Sequence, residues 1–432
     1  MQTASRKVIN GWAMYDWASS AYNLVITSTI FPTYFTAVAT GPDGSSTVNF
    51  LGRQFENTAL YNYAIAVALL IVAVSSPLLS SIADFRGNKK RFLFFFMTMG
   101  SLACASMYFF EGSTLTLGIV AVIVACVGFW GAQVFYNSFL PEIAAPQDRD
   151  RISAKGFSYG YVGSVLLQLV CFVFVLKPDL FGITEGKGSQ ISFFLVGVWW
   201  WAFGQFSLRR LPTPAPAATG TELNKGNLSG GYRELSKVWL QVKKLSALKR
   251  FLSAFFFYNM AVQTVMLVAV LYGKEELMLK TETLIIAILI IQLIAIPGAY
   301  LISRLSRKMG NLPTLMLLVV MWIGMCIAAY NLPVGGVLEF CLLGAGVGFV
   351  MGGIQSLSRS TYSKLMPPTK DTASFFSFYD VTEKLAAVVG IFSYGFITEL
   401  SGGQRGSVLA VGLFFVIGLA LLWYARAAKK EL

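Results

Sequence analysis

The segment SSIADFRGNKKR, residues 80–91, decides the fold of this chain. It joins two long apolar runs, which begin near Leu60 and Phe92, and it contains four basic residues, one carboxylate and one glycine. A tight turn at Gly87 lets a chain leave an apolar layer and re-enter it, and Asp84 could cap a helix N-terminus or pair with a neighbouring base. The pattern therefore predicts a short basic loop between two membrane-spanning helices.

The composition also indicates a protein that is embedded in a lipid bilayer. Of the 432 residues, 56% are hydrophobic and 13% are charged, whereas soluble domains carry about 25% charged residues. The net charge is +13, but the basic residues lie in short gaps between apolar runs, which excludes the basic face of a nucleic-acid-binding protein. Histidine is absent and the five cysteines lie inside apolar runs, so we expect no catalytic triad, no metal site and no cofactor.

Apolar runs long enough to cross a bilayer, which takes about 20 residues, occur twelve times. They form two sets of six around a linker that contains proline, glycine and asparagine. We therefore expect an all-α membrane protein of twelve transmembrane helices with 6+6 pseudo-symmetry: a six-helix bundle over 1–208, a cytoplasmic linker over 209–250 and a second bundle over 251–432. The runs begin near Gly11, Leu60, Phe92, Leu115, Phe157, Ile191, Phe251, Leu284, Pro313, Val337, Phe375 and Ser407.

The distribution of Lys and Arg predicts the orientation of these helices. If the N-terminus is cytoplasmic and twelve helices alternate, 27 of the 34 basic residues fall in inside regions, six fall in outside loops, and Lys384 lies within a helix. One missed helix would destroy this asymmetry, which follows the positive-inside rule. We therefore predict a multi-pass protein of the inner (plasma) membrane with both termini in the cytoplasm.

The end of the linker, from Tyr232 to Arg250, predicts an amphipathic helix. Lysines supply the charge, and apolar residues recur at three- and four-residue steps at Leu235, Trp239, Val242 and Leu245. We interpret the segment as a helix that lies along the cytoplasmic interface and connects the bundles. A lipid or partner sensor is the alternative.

The two halves of the chain contain similar segments. GFWGAQ, residues 128–133 in the fourth run, resembles residues 348–355 in the tenth, and each is followed by proline and a polar loop. Such internal repeats are typical of transporters built from two related halves.

Glycines recur every four residues at Gly344, Gly348 and Gly352, which predicts a close helix-packing face, with a rocking interface as the alternative.

The segment 80–91 resembles the signature loop of the major facilitator superfamily, D-x-x-G-x-[RK]-[RK]. The resemblance implies a loop that locks the outward-facing state, and an ordinary basic loop is the alternative. This sequence has Ser80 where the superfamily prefers glycine and Phe85 where it prefers a basic residue. The second-half copy, 304–310, has Arg307 in place of the acid, so only the first loop is expected to be complete. The implied gating residues are Asp84, Arg86, Gly87, Lys89 and Lys90.

Three further stretches resemble one branch of that superfamily, the vacuole-effluxer-like permeases, which include autophagy-related fungal amino-acid exporters and bacterial relatives. They are YDWASSA at 15–21, YNSFLPE at 136–142 and FYDVTEK at 378–384. The resemblance implies outward transport of amino acids. This sequence departs from the branch at Ser19 and Asp380, where asparagine is usual, and at Glu383, where a small residue is usual.

Charged residues inside membrane helices are rare and are candidate functional groups. Asp16 lies about 9 Å from an expected helix start near Asn10. Three more charges, Asp380, Glu383 and Lys384, lie in the eleventh run. Asp380 and Lys384 are spaced i,i+4 and can pair, while Glu383 lies deeper, so these residues and Asp16 are a candidate proton or charge relay. The alternatives are a self-neutralising structural pair and, for Asp16, an anchor near the headgroups.

Polar and aromatic side chains of five runs are candidates for a substrate cavity. The resemblance implies a central cavity built largely by the first, fourth, seventh and tenth helices. Buried amides need partners in lipid, so about half of the candidates should serve helix packing instead. The candidates are Tyr15, Trp17, Tyr22, Asn23, Gln133, Tyr136, Asn137, Tyr258, Asn259, Gln263, Gln355 and Tyr379.

These patterns predict a secondary transporter of a small polar or amphipathic solute, with amino-acid efflux as the first hypothesis and protons as the candidate coupling ion. ATP-driven transport is not indicated, because no Walker A segment occurs. A two-aspartate membrane protease would need a GxGD segment, which is also absent, so we expect no enzyme. We expect a monomer in the bilayer that binds no nucleic acid. A non-transporting receptor or a lipid scramblase on the same fold is the alternative.

Overall fold

Helices make up nearly all of the regular structure. The computed structural model describes residues 2–40, 44–213, 227–401 and 403–429. Its α-helices are α1 (Arg6–Ala21), α2 (Ile30–Val38), α3 (Asn57–Arg86), α4 (Lys89–Ser106), α5 (Leu115–Ser138), α6 (Leu140–Ile143), α7 (Arg149–Leu176), α8 (Glu185–Arg210), α9 (Asn227–Lys244), α10 (Ser246–Glu275), α11 (Thr281–Met309), α12 (Asn311–Tyr330), α13 (Val337–Leu365), α14 (Thr372–Ser401) and α15 (Gln404–Lys429). Short 3₁₀ turns lie at Met107–Phe109, Gly112–Thr114, Pro146–Asp148 and Pro178–Phe181.

Eleven helical segments in the described ranges are long and apolar enough to cross a membrane. They coincide with the second to the twelfth predicted runs. The first predicted run is helical from Arg6 to Val38, but it is divided into α1, a π-helix over Tyr22–Thr29, and α2. The count of twelve spanning helices therefore stays a prediction.

The π-helix has local chemical causes. Pro32 has no backbone N–H, so it cannot close the helical hydrogen bond to the carbonyl of Ser28. The Ser28 hydroxyl donates to Asn23 O at 2.9 Å, and the Thr29 hydroxyl donates to Leu24 O at 2.8 Å. Both hydroxyls thus bind carbonyls five residues earlier and support a widened turn, a feature found often at functional sites.

A small β-hairpin corrects the all-helical expectation. β1 (Thr47–Phe50) and β2 (Arg53–Glu56) pair antiparallel between α2 and α3. Leu51 and Gly52 form the two-residue turn with φ of 51° and 78°, the positive values that match the twist of a hairpin. Each strand has four residues, so its hydrophobic alternation is too short to separate from a loop by sequence.

Contacts divide the chain into two compact units. The amino-terminal unit contains Ser5–Phe139 and Tyr159–Gly231. The carboxyl-terminal unit contains Met1–Ala4, Leu140–Ser158 and Tyr232–Leu432, and so includes the start of α7. The predicted bundle boundaries at residues 208 and 251 stay a prediction.

Glycines let helices of the amino-terminal unit approach closely. A Cβ atom on Gly128 of α5 would lie 2.5 Å from the Cα atom of Gly100 in α4, which leaves no room for any side chain. Trp200 of α8 is fully buried, and its ring lies 2.4 Å from the position that a Cβ atom on Gly100 would occupy. These helices therefore pack through backbone contacts, as small residues allow in lipid.

The predicted glycine face of α13 packs against α11 in the carboxyl-terminal unit. Cβ atoms on Gly348 and Gly352 would overlap the backbones of Ile291 and Ala295. Gly298 of α11 makes a reciprocal approach to the backbone of α13. Helix α11 is therefore the partner of the predicted packing face.

The predicted amphipathic helix is present as α9, but its buried face differs from the prediction. Val238 and Val242, one turn apart, are buried. Trp239 is half exposed and stacks on Phe378 of α14, with 5.5 Å between ring centroids. A one-residue break at Leu245 then separates α9 from α10, so the helix does not continue to Arg250. The predicted apolar stripe thus agrees with the buried face at Val242 but not at Trp239, because the spacing alone does not show which side meets the protein.

Candidate functional site

The turn between α3 and α4 carries the predicted gating residues. Gly87 ends α3 with φ of 64°, and its N–H and that of Asn88 bond back to the last carbonyls of the helix. A side chain at Gly87 would strain this termination. Asp84 and Lys89 are buried, and Lys89 Nζ lies 4.8 Å from the centroid of the Phe139 ring.

The other two predicted gating residues lie nearer the surface. Lys90 Nζ donates to Leu211 O at 2.9 Å, which ties the start of α4 to the residue that follows α8. Arg86 is exposed at the end of α3. The loop therefore has a buried part, at Asp84 and Lys89, and a solvent-facing basic part.

A cluster around Asp16 lies within the amino-terminal unit. Asp16 is buried and accepts a hydrogen bond of 2.6 Å from the Tyr136 hydroxyl of α5. The Tyr136 ring stacks on Trp12 and Tyr15, at 4.7 and 4.9 Å between centroids. Helix α1 begins earlier than expected, at Arg6, so Asp16 lies further inside the helix than the sequence indicated. Asp16 is thus a buried carboxylate with a tyrosine hydroxyl as a hydrogen-bond partner, and its role in a relay stays a prediction.

The remaining amino-terminal candidates have different surroundings. Gln133 Nε2 lies 3.5 Å from the Ser19 hydroxyl, at the long limit of a hydrogen bond. Trp17 stacks on Trp199 of α8, with 5.7 Å between ring centroids. The other candidates of this unit are the buried Tyr22, the exposed Asn23 and the partly exposed Asn137.

The three charges of α14 lie together in the carboxyl-terminal unit. Lys384 donates to Asp380 one turn away, the pairing that the spacing predicts, and both side chains are buried. The Oδ2 atom of Asp380 has no hydrogen-bond partner among the described residues. Glu383 is partly exposed and accepts a hydrogen bond of 3.1 Å from Gln263 Nε2 of α10. The group thus combines an ion pair with a carboxylate that is hydrogen-bonded to an amide.

Aromatic and amide groups surround these charges on α10 and α14. The hydroxyls of Tyr258 and Ser358 lie 2.8 Å apart. Tyr379 stacks on Phe255, with 4.4 Å between ring centroids. Asn259 is buried, and its Nδ2 has no hydrogen-bond partner in the described part of the chain. The amide of Asn259 and the ring of Tyr258 therefore lie on α10, the helix that carries Gln263. The ring of Tyr379 lies on α14, next to Asp380 in the chain.

A polar cluster at the start of α7 was missed by the sequence analysis. The buried Asp150 accepts hydrogen bonds of 2.6 to 2.9 Å from Lys364, Asn311 and Ser306. The neighbouring Arg149 donates at 2.6 Å to a backbone carbonyl near the end of α13. Within the carboxyl-terminal unit these bonds join the start of α7 to α11, α12 and α13.

Arg359 extends this cluster along α13. Its guanidinium donates to the hydroxyl and the carbonyl of Ser153, at 3.0 and 2.9 Å, and lies 4.2 Å from the centroid of the Phe157 ring. Arg359 was not among the candidate residues that the sequence indicated. The signal that could have found it was the position of the polar run 356–364 directly after the partly exposed Gln355, without an intervening helix breaker.

Long apolar helices that carry internal charges define a polytopic membrane protein, and solved structures identify its fold. The chain is similar to an outward-facing crystal structure of the major facilitator transporter FucP, with a TM-score of 0.70, 13% identity, and coverage of 97% of this chain and 98% of that one. It is similar also to the human organic anion transporter MFSD10, with a TM-score of 0.72, 12% identity, and coverage of 96% and 99%. The fold is therefore that of the major facilitator superfamily.

The family is given by the sequence itself. The family described as "Vacuole effluxer Atg22 like" matches residues 4–431, and the chain belongs to this family. It is therefore a multi-pass membrane transporter of a small-molecule solute and not an enzyme.

Relatives from bacteria and fungi are similar over most of their lengths. A protein of Bacillus subtilis named "Uncharacterized MFS-type transporter YxiO" is 29% identical over 415 residues, covering 96% of this chain and 93% of that protein. Autophagy-related protein 22-1 of Penicillium rubens is 26% identical over 491 residues, covering 93% of this chain and 80% of that protein.

Proposed function

We propose that this protein is a secondary active transporter that exports a small polar or amphipathic solute, amino acids first among them, by alternating access coupled to protons. In this proposal it lies in the plasma membrane as a monomer, with both termini in the cytoplasm. Twelve helices span the bilayer, and the α1–π–α2 run is the first of them. Residues 1–208 and 251–432 form the two six-helix bundles, and residues 209–250 form the cytoplasmic linker.

The charge group of α14 carries this proposal. Even on the insertion scale, an ionised side chain at the centre of a membrane helix costs about 2.5–3.5 kcal/mol. Lys384 and Asp380 neutralise each other, but Glu383 has only the uncharged amide of Gln263 as its hydrogen-bond partner among the described residues. The hydrogen bond of Glu383 goes to a neutral group, so this third charge does not form a stabilising ion pair through it. A role in binding and releasing a proton explains its presence better than a role in stability.

The contact with Gln263 suits a carboxyl group that gains and loses a proton. An amide can donate through Nε2 to a carboxylate and can accept through Oε1 from a carboxylic acid, so it supports both forms of Glu383. Glu383 is also partly exposed, which a proton carrier needs in order to exchange with water. Its neighbours Asp380 and Lys384 are buried and are less suited to that exchange.

The side chains near this group favour an amino acid as the solute. The unpartnered Asn259 Nδ2 can donate to a carboxylate, and the unpartnered Asp380 Oδ2 can accept from an ammonium group. Tyr258 and Tyr379 supply aromatic faces for an apolar side chain.

We assign the gating role to the α3–α4 turn, with the buried Asp84 as its centre and the left-handed Gly87 as its bend.

The test is transport by purified protein in proteoliposomes. A panel of radiolabelled amino acids and other small solutes is offered with and without a pH gradient. We expect flux of at least one amino acid that the gradient accelerates. Glu383→Gln should keep solute exchange at equal pH but lose the acceleration, because the amide cannot bind a proton. Glu399→Gln, at an exposed position of the same helix, is the matched control and should behave as the wild type.

Two outcomes would contradict parts of the proposal. If no solute in the panel crosses the membrane, transport fails and the receptor or scramblase alternative is favoured, which movement of labelled lipid would separate. If Glu383→Gln transports with an unchanged response to the gradient, the proton is carried elsewhere, and Asp16 with its Tyr136 partner is the next position to change.

A further inference from the structure

A basic cleft lies where α3 ends, α4 begins and α8 ends, within the amino-terminal unit. Its volume is about 800 Å³. Four cations and two amides line it together with a few smaller or apolar residues: Arg86, Lys90, Arg91, Arg209, Asn88 and Gln205. None of the described residues that line it is acidic. Four positive charges around one cleft repel one another, so a bound anion would relieve this repulsion.

Two of the four cations form no ion pair with a described residue. Arg91 and Arg209 are exposed, and neither forms an ion pair with a described residue. Lys90 is already bonded to Leu211 O at 2.9 Å, and this bond fixes the wall of the cleft between α4 and α8. Arg91 and Arg209 are therefore the side chains free to move onto an anion.

Uncharged donors converge on the same cleft. Gln205 Nε2 is shielded from solvent and has no hydrogen-bond partner among the described residues. Helix α4 begins at the cleft, and its N-cap residue Asn88 makes no side-chain cap hydrogen bond. The positive end of the α4 dipole thus lies beside these cations, and a helix N-terminus favours phosphate binding.

An apolar surface adjoins the charged one. Phe94 lines the cleft and is 45% exposed. Exposed apolar side chains continue along α4 at Phe95 and Leu102. A free phosphate ion would use the cations and leave this surface bare, whereas a lipid would use both.

We propose that this cleft binds the phosphate group of an anionic phospholipid, with the acyl chains along the exposed apolar face of α4. Arg91 and Arg209 contact the phosphate from two sides, and Gln205 with the start of α4 supplies neutral donors. Basic pockets at the ends of membrane helices bind such headgroups. The inference takes from the proposed function only the orientation, which puts this end of the helices at the cytoplasmic leaflet. Lipid binding in detergent does not require transport, so each proposal can fail without the other.

The experiment measures lipid binding by the full-length protein in neutral detergent. Native mass spectrometry counts bound molecules of short-chain phosphatidylglycerol or phosphatidylcholine, and thermal unfolding is followed with each lipid and with inorganic phosphate. We expect tight binding and stabilisation by phosphatidylglycerol only. Replacement of both Arg91 and Arg209 by glutamine should weaken binding about 30-fold, since each cation beside an anionic headgroup strengthens association about fivefold.

Two further variants separate a built site from general charge. Lys243→Gln with Lys244→Gln removes the same charge from exposed positions outside the cleft and should leave binding within about twofold of wild type. Gln205→Glu keeps every cation but places a carboxylate in the cleft, so it should weaken binding as well. The proposal is overturned if phosphatidylcholine binds equally well, if only inorganic phosphate stabilises the protein, or if the arginine and lysine variants lose the same affinity.

Discussion

Asp380 and Lys384 show how a single pair constrains a membrane helix. Their charges cancel within one turn of α14, and both side chains are buried. A buried pair contributes little net stability, because the cost of taking both ions out of water offsets their attraction. Removal of one partner is different, since the other ion then stays buried without compensation. The pair is therefore a sensitive point even if it plays no part in transport.

Lys384→Met should destabilise the protein by about 3–5 kcal/mol, because it leaves the Asp380 carboxylate buried and uncompensated. The double variant Asp380→Asn with Lys384→Met should recover most of this loss. Thermal unfolding of purified protein in detergent measures both. Lys274→Met, at an exposed position of α10, is the control and should change stability by less than about 0.5 kcal/mol. Equal losses for the single and the double variant would show that Lys384 stabilises α14 by packing and not by charge.

At the scale of elements, the α11–α13 pair depends on residues without side chains. Gly348 and Gly352 bring the backbone of α13 against the backbones of Ile291 and Ala295. In lipid no hydrophobic effect drives two apolar helices together, so close van der Waals contact between backbones is a main source of their affinity. At the start of α7, Asp150 accepts further hydrogen bonds from Ser306 of α11 and Asn311 of α12.

Gly352→Ala tests this packing. The added methyl group would overlap the backbone of Ala295, which cannot move as a flexible side chain could. We expect a loss of about 1–3 kcal/mol in unfolding free energy, the usual cost of overpacking. Gly324→Ala in α12 is the matched control, since no atom lies within 4 Å of its added carbon, and it should be neutral or gain up to about 1 kcal/mol. Similar melting temperatures for both variants would contradict a close α11–α13 contact.

At the scale of the whole molecule, the topology depends on the first helical run. Eleven described helices have the length and hydropathy of membrane spans, while the first run is divided by the π-helix Tyr22–Thr29. If this run crosses the bilayer, residues before α1 and residues of the β-hairpin lie on opposite sides. The positive-inside rule favours this crossing, because it puts Arg6 and Lys7 on the same side as the basic segment 80–91.

Cysteine labelling in cells measures this topology. In a Cys341→Ala background, which removes the one native cysteine that is not buried, single cysteines replace Gln2, Leu51 and Lys244, all exposed. A membrane-impermeant maleimide should label Leu51→Cys in intact cells, and Gln2→Cys and Lys244→Cys only after permeabilisation. Labelling of Gln2→Cys and Leu51→Cys from the same side would mean that the first run does not cross the membrane.

The candidate site could be predicted in part, and the limit has a physical form. The i,i+4 spacing was sufficient to pair Asp380 with Lys384, because both residues lie on one helix with known geometry. Residue spacing within one helix cannot predict partners on other helices. The contact of Gln263 with Glu383 and that of Tyr136 with Asp16 are of this kind. Trp17 was grouped with its neighbours in the chain, although its ring packs with α8.

The sequence by itself determined that the protein lies in a membrane, where eleven undivided helical spans fall, and that the chain turns at Gly87. Hydropathy, helix length and backbone freedom are local properties, so a contiguous segment is sufficient to show them. The sequence determined the family for the same reason, through motifs that are contiguous in the chain. Only the tertiary structure decided that the start of α7 bonds to α13, that α9 buries Val238 and not Trp239, and that four basic residues of three helix ends form one cleft. Those outcomes depend on which helix faces meet, and residues far apart in sequence set that choice together.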